Sequence, residues 1–486
     1  MSAEYTPEVR QRAVFGEYSD TGTAIRINDW ALNNGIHIRY CAQAAKGCEW
    51  VIFIGGHWQQ DDTGSIMLGI VRRFVDAEML EVARMIGAGL EDRAGVKSKA
   101  AFKLLNVKSQ IPVLTMLSKL EGVGVKMTAF DANPSTVQVE SVSGEFLVID
   151  LPSSNARKAV AEDMCLKICG AKYDPEAVCP NFEDVIDKAM VGDVERVQYM
   201  KRTAGYALYG HNRDEILPVY VGSGGNLKTT VLEMYLGVMG DYAVTALPSL
   251  LMAREAGAAT NDVARLVGVR LVVCSESKEN DRLDDGMVKR MASNEQQTAR
   301  FLHKEFIQFT PQWLVVLATN HTPIVRATDS GFWRRIILNE FNYTVPASDR
   351  DVNFRANHLD AEASGILNWM LTGARMYASE GLKAPKSVVN ATGGYRSQSD
   401  VIEQWYNVSV TSGPGALMIS DAWKMFVEWY KADFGDEPKT MNSRVLSKWL
   451  RGRGLTVSQT NGVTRIWGIR AKTQADWDLE ADDVIA

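Results

Sequence analysis

A lysine that opens a helix, with glycines before it and hydroxyls after it, has the chemistry of phosphate capture. The run Gly222-Ser223-Gly224-Gly225-Asn226-Leu227-Lys228-Thr229-Thr230 has that order. Backbone N–H groups at a helix N-terminus attract phosphate oxygens. In a Walker A loop of this kind Lys228 reaches the β and γ phosphates of ATP, and Thr229 holds Mg²⁺. Gly222, Gly224, Gly225, Asn226, Leu227, Lys228, Thr229 and Thr230 are therefore the candidate nucleotide-binding residues. Leu227 stands where such loops normally carry glycine. Glycine there admits the phosphates without a Cβ in the way. Leucine is tolerated if its side chain turns into the core, at the risk of weaker nucleotide affinity.

Further along, three more groups fit the same chemistry. The apolar strand Leu271 to Cys274 ends in Ser275-Glu276. A carboxylate there polarises an attacking water and supports Mg²⁺, so Glu276 is the catalytic candidate and, with Thr229, the metal candidate. Ser275 replaces the usual second carboxylate. The strand Trp313 to Ala318 ends in Thr319-Asn320-His321. Asn320 at its tip is placed to sense the γ-phosphate, with His321 as an accessory or a bystander. Phe332-Trp333-Arg334-Arg335-Ile336 leads into another apolar strand. An arginine offered to a neighbouring subunit's nucleotide neutralises transition-state charge, with effects of ~10³–10⁵ in rate. Arg335 is the favoured finger and Arg334 the alternative. The competing reading of the pair is a structural contact to carboxylates.

The elements that must hold these groups divide the 486 residues into three textures. At roughly 100–200 residues per domain, about three domains are expected. Residues 1–195 read as mixed α and β: a strand at Trp50 to Ile54, a long helix from Ser65 to Ile86, a helix from Val96 to Ser109 ended by Pro112, a shorter one from Val113 to Leu120, and a strand at Gly144 to Ile149. Residues 196–385 alternate strands and helices, which predicts an α/β layer with a largely parallel sheet. Residues 386–486 predict helices at 400–408, 420–433 (capped by Ser420) and 442–452. A hairpin follows, with Leu455 to Val457 and Val463 to Trp467 about an Asn461-Gly462 turn. Helix, helix, helix, hairpin is the order of a winged helix.

Composition sets outer limits. A formal charge of −6 excludes a uniformly basic coat but not a local basic surface. Six cysteines are too sparse for a disulfide scaffold. Cys165, Cys169 and Cys179 lack paired metal-ligand spacing and read as isolated buried thiols. The start, MSAEYTPEVRQR, has no apolar core of a signal peptide, and no run of about 18 apolar residues predicts a membrane span.

The order GSGGNLKTT, LVVCSES, VKRMASNEQQTARFLHKEFIQF, ATNHTP, FWRRIILNEF resembles the superfamily 3 helicases. More narrowly, the chain is similar to phage and plasmid primase–helicases related to the poxvirus primase-helicase. HWQQDD (57–62), YDPEAVCPNF (173–182), GDYAV (240–244) and GILNW (365–369) also look like that group, so the resemblance spans about 25–480. It implies an AAA+ P-loop ATPase core over 196–385, an N-terminal collar domain over 1–195, and a winged-helix-like domain over 386–486. It also implies a homo-hexameric ring translocating 3′-to-5′ on single-stranded DNA, and a setting in a bacterial host cytoplasm. Ser293-Asn294-Glu295 departs from a Gly-Gly-Asp-like turn common in the family.

In superfamily 3 the interval containing Thr298 to Lys304 forms a pore hairpin. Arg300 and Lys304 suit phosphate contacts, and Phe301 or His303 suits packing on sugar or base. Lys289 precedes this interval and suits phosphate sensing or DNA. Pro438 to Ala475 contains no Asp or Glu, and carries Arg444, Lys448 and Arg465 among its cations. A winged helix of that charge docks on duplex backbone. Neither clustered primase carboxylates nor a zinc-ribbon signature is evident, so priming is expected from another chain or from sequence outside this one, and a separate primase or polymerase is an expected partner. Three function classes follow: an ATP-driven replicative helicase acting on single-stranded and forked DNA, an initiator or scaffold ring with weak hydrolysis, and, less well supported, a packaging or remodelling ATPase.

Overall fold

A computed structural model describes residues 16–44, 47–252, 263–275, 282–299, 307–323, 325, 330–351, 353–435, 437–438, 441–460 and 462–476. Its centre is a five-stranded sheet. In chain order the strands are β1 (Leu217–Val221), β2 (Ala243–Ala246), β3 (Leu271–Ser275), β4 (Leu314–Thr319) and β5 (Ile336–Glu340). The spatial order is β5-β1-β4-β3-β2, and every neighbouring pair is parallel. Parallel strands need crossovers that cover both faces, so their side chains are apolar on both sides. Alternate residues accordingly enter different cores. Leu271, Val273, Leu314 and Val316 join one cluster, and Val272, Cys274, Val315 and Leu317 join the other.

The first cluster also holds α1 (Lys228–Met239), which follows β1, and the helices Val194–Ala207 and Ala363–Glu380. It extends to Val137 and Ile149 of an antiparallel sheet formed by Thr136–Glu140, Phe146–Asp150 and Ala156–Lys158. One apolar core thus runs across residue 195. Arg270, 1% exposed, reinforces that junction by donating to the carbonyls of Leu208 and Asn133.

Ahead of this lies a separate cluster, in which the helices Asp20–Asn33, Ser65–Gly87 and Val107–Leu117 pack with the hairpin sheet of His37–Tyr40, Trp50–Ile54 and His57–Gln60. The predicted helix over 96–109 is instead Glu91–Lys103, and Pro112 lies inside Val107–Leu117 rather than ending a helix. A proline deprives only the carbonyl four residues back of its partner. That residue is Lys108, exposed in the first turn, where water serves.

The last region has helices Val401–Ser409, Ile419–Phe434 and Ser443–Gly452 around a three-stranded sheet. The hairpin forms as expected, with Val457–Thr460 antiparallel to Val463–Ala471. Its third strand, Val410–Met418, was not expected, and it contains Gly413-Pro414-Gly415. The register shift between Ser412 and Ala416 accommodates that run. Ser420 does not cap its helix; Met418 holds the cap position, and the serine lies within the first turn. Lys386–Ser399 is one helix through Gly393-Gly394, held to β5 where Leu338 N–H donates to Thr392 Oγ1 at 2.9 Å. Among the described residues no helix is long and apolar enough to cross a membrane.

Candidate nucleotide site

Strand β1 ends at Val221 and α1 begins at Lys228, so the glycine-rich run is the connecting loop. Gly222 is fixed by crowding. A Cβ there would lie 1.9 Å from Asn226 Nδ2 and 2.6 Å from the Phe341 carbonyl. Gly224 and Gly225 have φ of +95° and +61°, and Gly224 faces open space. Asn226 is 4% exposed and donates to the Phe341 carbonyl at 3.4 Å, pinning the loop to the end of β5. Among the described residues no hydrogen bond occupies the amides of Gly225, Asn226 and Leu227. The first-turn amides of a helix likewise lack intrahelical acceptors. The loop therefore presents a set of donors suited to an anion.

Leu227 sits at the helix N-cap with φ +65°, and its partly buried side chain packs against the core. A leucine fills a position that favours glycine because the fold takes up its side chain; the cost of such a backbone setting is about 1–3 kcal/mol.

Lys228 is 4% exposed. Its Nζ donates to the Thr319 carbonyl at 2.5 Å, to Asn320 Oδ1 at 3.0 Å and to the Gly222 carbonyl at 3.3 Å. Parallel pairing of Thr319 with Val221 makes this meeting possible, since it aligns the tips of β4 and β1. Burial lowers the Lys228 ammonium to about 8. Lys228 and Asn320, 92 positions apart, are thus in direct contact. Thr229 is exposed beside them and Thr230 half-buried. An exposed hydroxyl next to the loop fits the role of a Mg²⁺ ligand shared with phosphate oxygens. His321 is exposed, and its backbone exchanges hydrogen bonds with the Thr319 hydroxyl. Glu276 lies outside the described residues; Ser275, just before it, pairs with Ala318 on β4.

Arg334 and Arg335 occupy the opposite edge of the sheet. The Leu217 amide, at the start of β1, donates to the Arg335 carbonyl at 2.7 Å. At 3.3 Å per residue, the length of β1 separates them from the phosphate loop by about 16 Å. Both therefore lie at the far end of β1 from the glycine-rich loop. Both guanidinium groups donate to Glu215 Oε2 at 2.7 Å, yet the side chain of Arg334 is 63% exposed and that of Arg335 only 10%.

Of the DNA candidates, Arg300, Phe301, His303 and Lys304 lie outside the described residues. The strands on either side, Gln297–Ala299 and Ile307–Phe309, pair antiparallel. Lys289 is ion-paired with Asp285 one turn earlier on the helix Asp285–Met291. Arg444 and Lys448 are exposed on Ser443–Gly452, and Arg465 is half-buried on Val463–Ala471. Cys165, Cys169 and Cys179 are each buried, and burial pushes their thiols up to about 12.

The sequence reading missed Arg350. The segment after β5 folds back over the phosphate loop, where Val345 N–H donates to the Gly225 carbonyl at 2.8 Å. The Arg350 guanidinium lies 3.6 Å from where a Gly225 Cβ would stand. Its only sequence signal is a cation ten residues past a strand. The family-like segments YDPEAVCPNF and GILNW are one packing contact. Asn368 Nδ2 donates to the carbonyls of Asp174 and Ala177, and Phe182 meets Trp369 edge-on at 5.3 Å.

The chain is a distant relative of proteins from large DNA viruses that are named as helicases and primases. It is 23% identical over 476 residues to "Putative helicase L207/L206" of Acanthamoeba polyphaga mimivirus, covering 91% of this chain and 49% of that one. It is 25% identical over 258 residues to "Putative helicase 022R" of Frog virus 3, covering 49% and 26%. It is 22% identical over 276 residues to "Putative primase C962R" of African swine fever virus, covering 50% and 28%. The chain spans about half the length, or less, of these curated relatives. No family model matches. Among solved structures, the apo C-terminal region of NrS-1 aligns with 91% of this chain and 98% of its own, at 11% identity and a TM-score of 0.48.

Proposed function

We propose that the chain is the motor portion of an ATP-driven DNA helicase, an AAA+ ATPase of superfamily 3. The carrying observation is the contact of Lys228 Nζ with Asn320 Oδ1 at the mouth of a glycine-rich loop, at the tips of adjacent parallel strands. A triphosphate entering there meets free amides, a buried cation and a polar sensor in one place. Lys228 exchanges its carbonyl partners for phosphate oxygens, and Asn320 then faces the terminal phosphate or the lytic water. Thr229, with Glu276, would hold Mg²⁺, which would supply charge neutralisation there. Arg350 closes over the loop from the same chain.

The arginine pair faces away from its own nucleotide, which suits a ring in which each subunit completes its neighbour's site. Six subunits are expected. Of the two, Arg334 is the better finger by exposure, and Arg335 the anchor. Single-stranded DNA runs along the segment carrying Arg300, Phe301, His303 and Lys304, with 3′-to-5′ movement. The 386–486 region engages duplex through Arg444, Lys448 and Arg465, as a winged helix does. The names of the viral relatives, helicase and primase, support a role in DNA replication, with priming supplied by a separate primase or by sequence outside this chain.

The test is ATP hydrolysis and strand displacement on a forked substrate, with Lys228→Ala as control. Loss of both activities in Lys228→Ala supports the proposal. Wild-type unwinding by Lys228→Ala overturns it.

A further inference from the structure

The segment just before β1 lies away from the phosphate site, and its turn is held by a dense set of hydrogen bonds. Asn212 is fully buried, and all of its polar groups are engaged. Its Oδ1 accepts from Tyr206 Oη at 3.0 Å and from the Ile216 amide at 3.2 Å. Its Nδ2 donates to the carbonyls of Ile216 at 2.9 Å and Ala292 at 3.2 Å. Its own amide donates to Asn294 Oδ1 at 3.1 Å. The turn closes where the Glu215 amide donates to the Asn212 carbonyl, and it leaves Glu215 with φ +51°, a setting that side chains other than glycine rarely adopt.

That strained backbone aims one carboxylate oxygen at two guanidinium groups. Glu215 Oε2 accepts from Arg335 Nη2 and Arg334 Nη2, each at 2.7 Å. Arg335 is further held by the Gly331 carbonyl at 2.6 Å, and its buried Nε has no partner among the described residues. Arg335 is thus committed within the chain. Arg334 keeps its other N–H groups unused among the described residues and most of its side chain in solvent. The other end of the turn is tied to Ala292 and Asn294, which lead into Gln297–Ala299, the strand that precedes Arg300.

We propose that Glu215 is the positioning residue for the arginine that acts on the neighbouring subunit's nucleotide, and that Asn212 links it to the base of the DNA-contacting segment. This rests on the motor reading above. Glu215 fixes the direction of the Arg334 guanidinium and neutralises the buried Arg335 beside it. A shift of the Asn294 backbone on DNA binding moves the Asn212 turn and, through it, Glu215. The device costs the fold a strained residue, and its return is a finger that is set before a partner arrives.

The test is steady-state ATP hydrolysis by the full chain, with and without a single-stranded oligonucleotide. Glu215→Gln is expected to lower kcat by about 10- to 100-fold, since misplacing a reacting group by an ångström has effects of that size. KM for ATP should stay within about twofold, because the phosphate loop is at the other end of β1. Glu215→Asp should recover part of the loss. Combined with Arg334→Ala, Glu215→Gln should add nothing beyond Arg334→Ala alone. Asn294→Ala should keep its DNA-free rate and lose stimulation by DNA.

Wild-type kcat in Glu215→Gln, or losses that multiply with Arg334→Ala, would overturn the proposal. If thermal melts show Glu215→Gln unfolded, Glu215→Asp with and without Arg334→Ala makes the same comparison. Absence of any Lys228-dependent hydrolysis in the wild type sinks the motor reading and this inference together. Hydrolysis that depends on Lys228 but ignores Glu215 sinks this inference alone.

Discussion

On the motor reading proposed above, binding of a triphosphate at Lys228 takes up a proton above neutral pH. In the free chain, burial holds this ammonium at about 8 against an ordinary value of 10.5. A group with a depressed folded value loses its proton early, so the free site is half neutral near pH 8. A triphosphate beside it favours the charged form and moves the value back up. Linkage then fixes the stoichiometry: about 0.1 proton per site at pH 7, about 0.5 at pH 8 and about 0.9 at pH 9. Over the same range the association constant for ATP should fall, approaching about tenfold per pH unit above 8. The ligand's own last phosphate ionisation, near pH 6, is complete by then. In the free chain the sign for folding is the reverse. Between about 8 and 10.5 the unfolded lysine holds a proton that the folded one lacks, so this group makes stability rise with pH.

The assay is titration calorimetry with Mg-ATP in two buffers of different ionisation enthalpy, at pH 7, 8 and 9, on wild type and Lys228→Arg. Arginine does not titrate in this range, so the variant isolates the lysine. Heats at pH 8 and 9 that are independent of buffer in the wild type would refute the reasoning, because a buried, partly neutral lysine cannot meet phosphate without gaining its proton. Uptake of equal size in Lys228→Arg would assign it to another group.

Leu227→Gly should bind ATP as tightly as wild type or more tightly, by calorimetry. Its melting stability should change by no more than about 1 kcal/mol, as relief of the left-handed backbone offsets lost packing; much weaker binding would show that the leucine is an adapted part of the pocket. Mixing Arg334→Ala subunits with Glu276→Gln subunits should restore hydrolysis at shared sites, whereas each variant alone stays inactive; no recovery in an assembled mixture counts against action across subunits. Gly365→Ala should destabilise the chain by about 1–3 kcal/mol in denaturant melts, because its Cβ would lie 2.2 Å from the Val178 carbonyl. Arg444→Ala with Lys448→Ala should weaken duplex binding and flatten its salt dependence without changing ATP hydrolysis; unchanged duplex affinity would remove the last helix from the DNA surface.

Local sequence decided what local physics controls. Three of the sheet strands were readable as unbroken apolar runs, because a strand covered on both faces admits little else. That the glycine-rich run joins a strand to a helix was readable because its glycines suit the left-handed backbone such a turn needs, which Gly224 and Gly225 adopt. The Val463 hairpin followed from its Asn-Gly turn. Punctuation misled at Pro112, which sits within a helix because the residue whose carbonyl it frees, Lys108, is exposed.

Which groups meet was a different matter. That Asn320 touches Lys228 depends on β4 lying beside β1, an order no local pattern encodes. That Arg335 is an internal anchor and Arg334 the exposed member follows from the position of Glu215, a glutamate with no motif around it. Arg350 reaches the phosphate loop only because the chain beyond β5 doubles back. Residue types and their spacing along a chain specify the chemistry available, since that is set by covalent identity and nearby backbone. Partners scores of positions apart are chosen by strand order and core packing, which are free-energy minima of the whole chain.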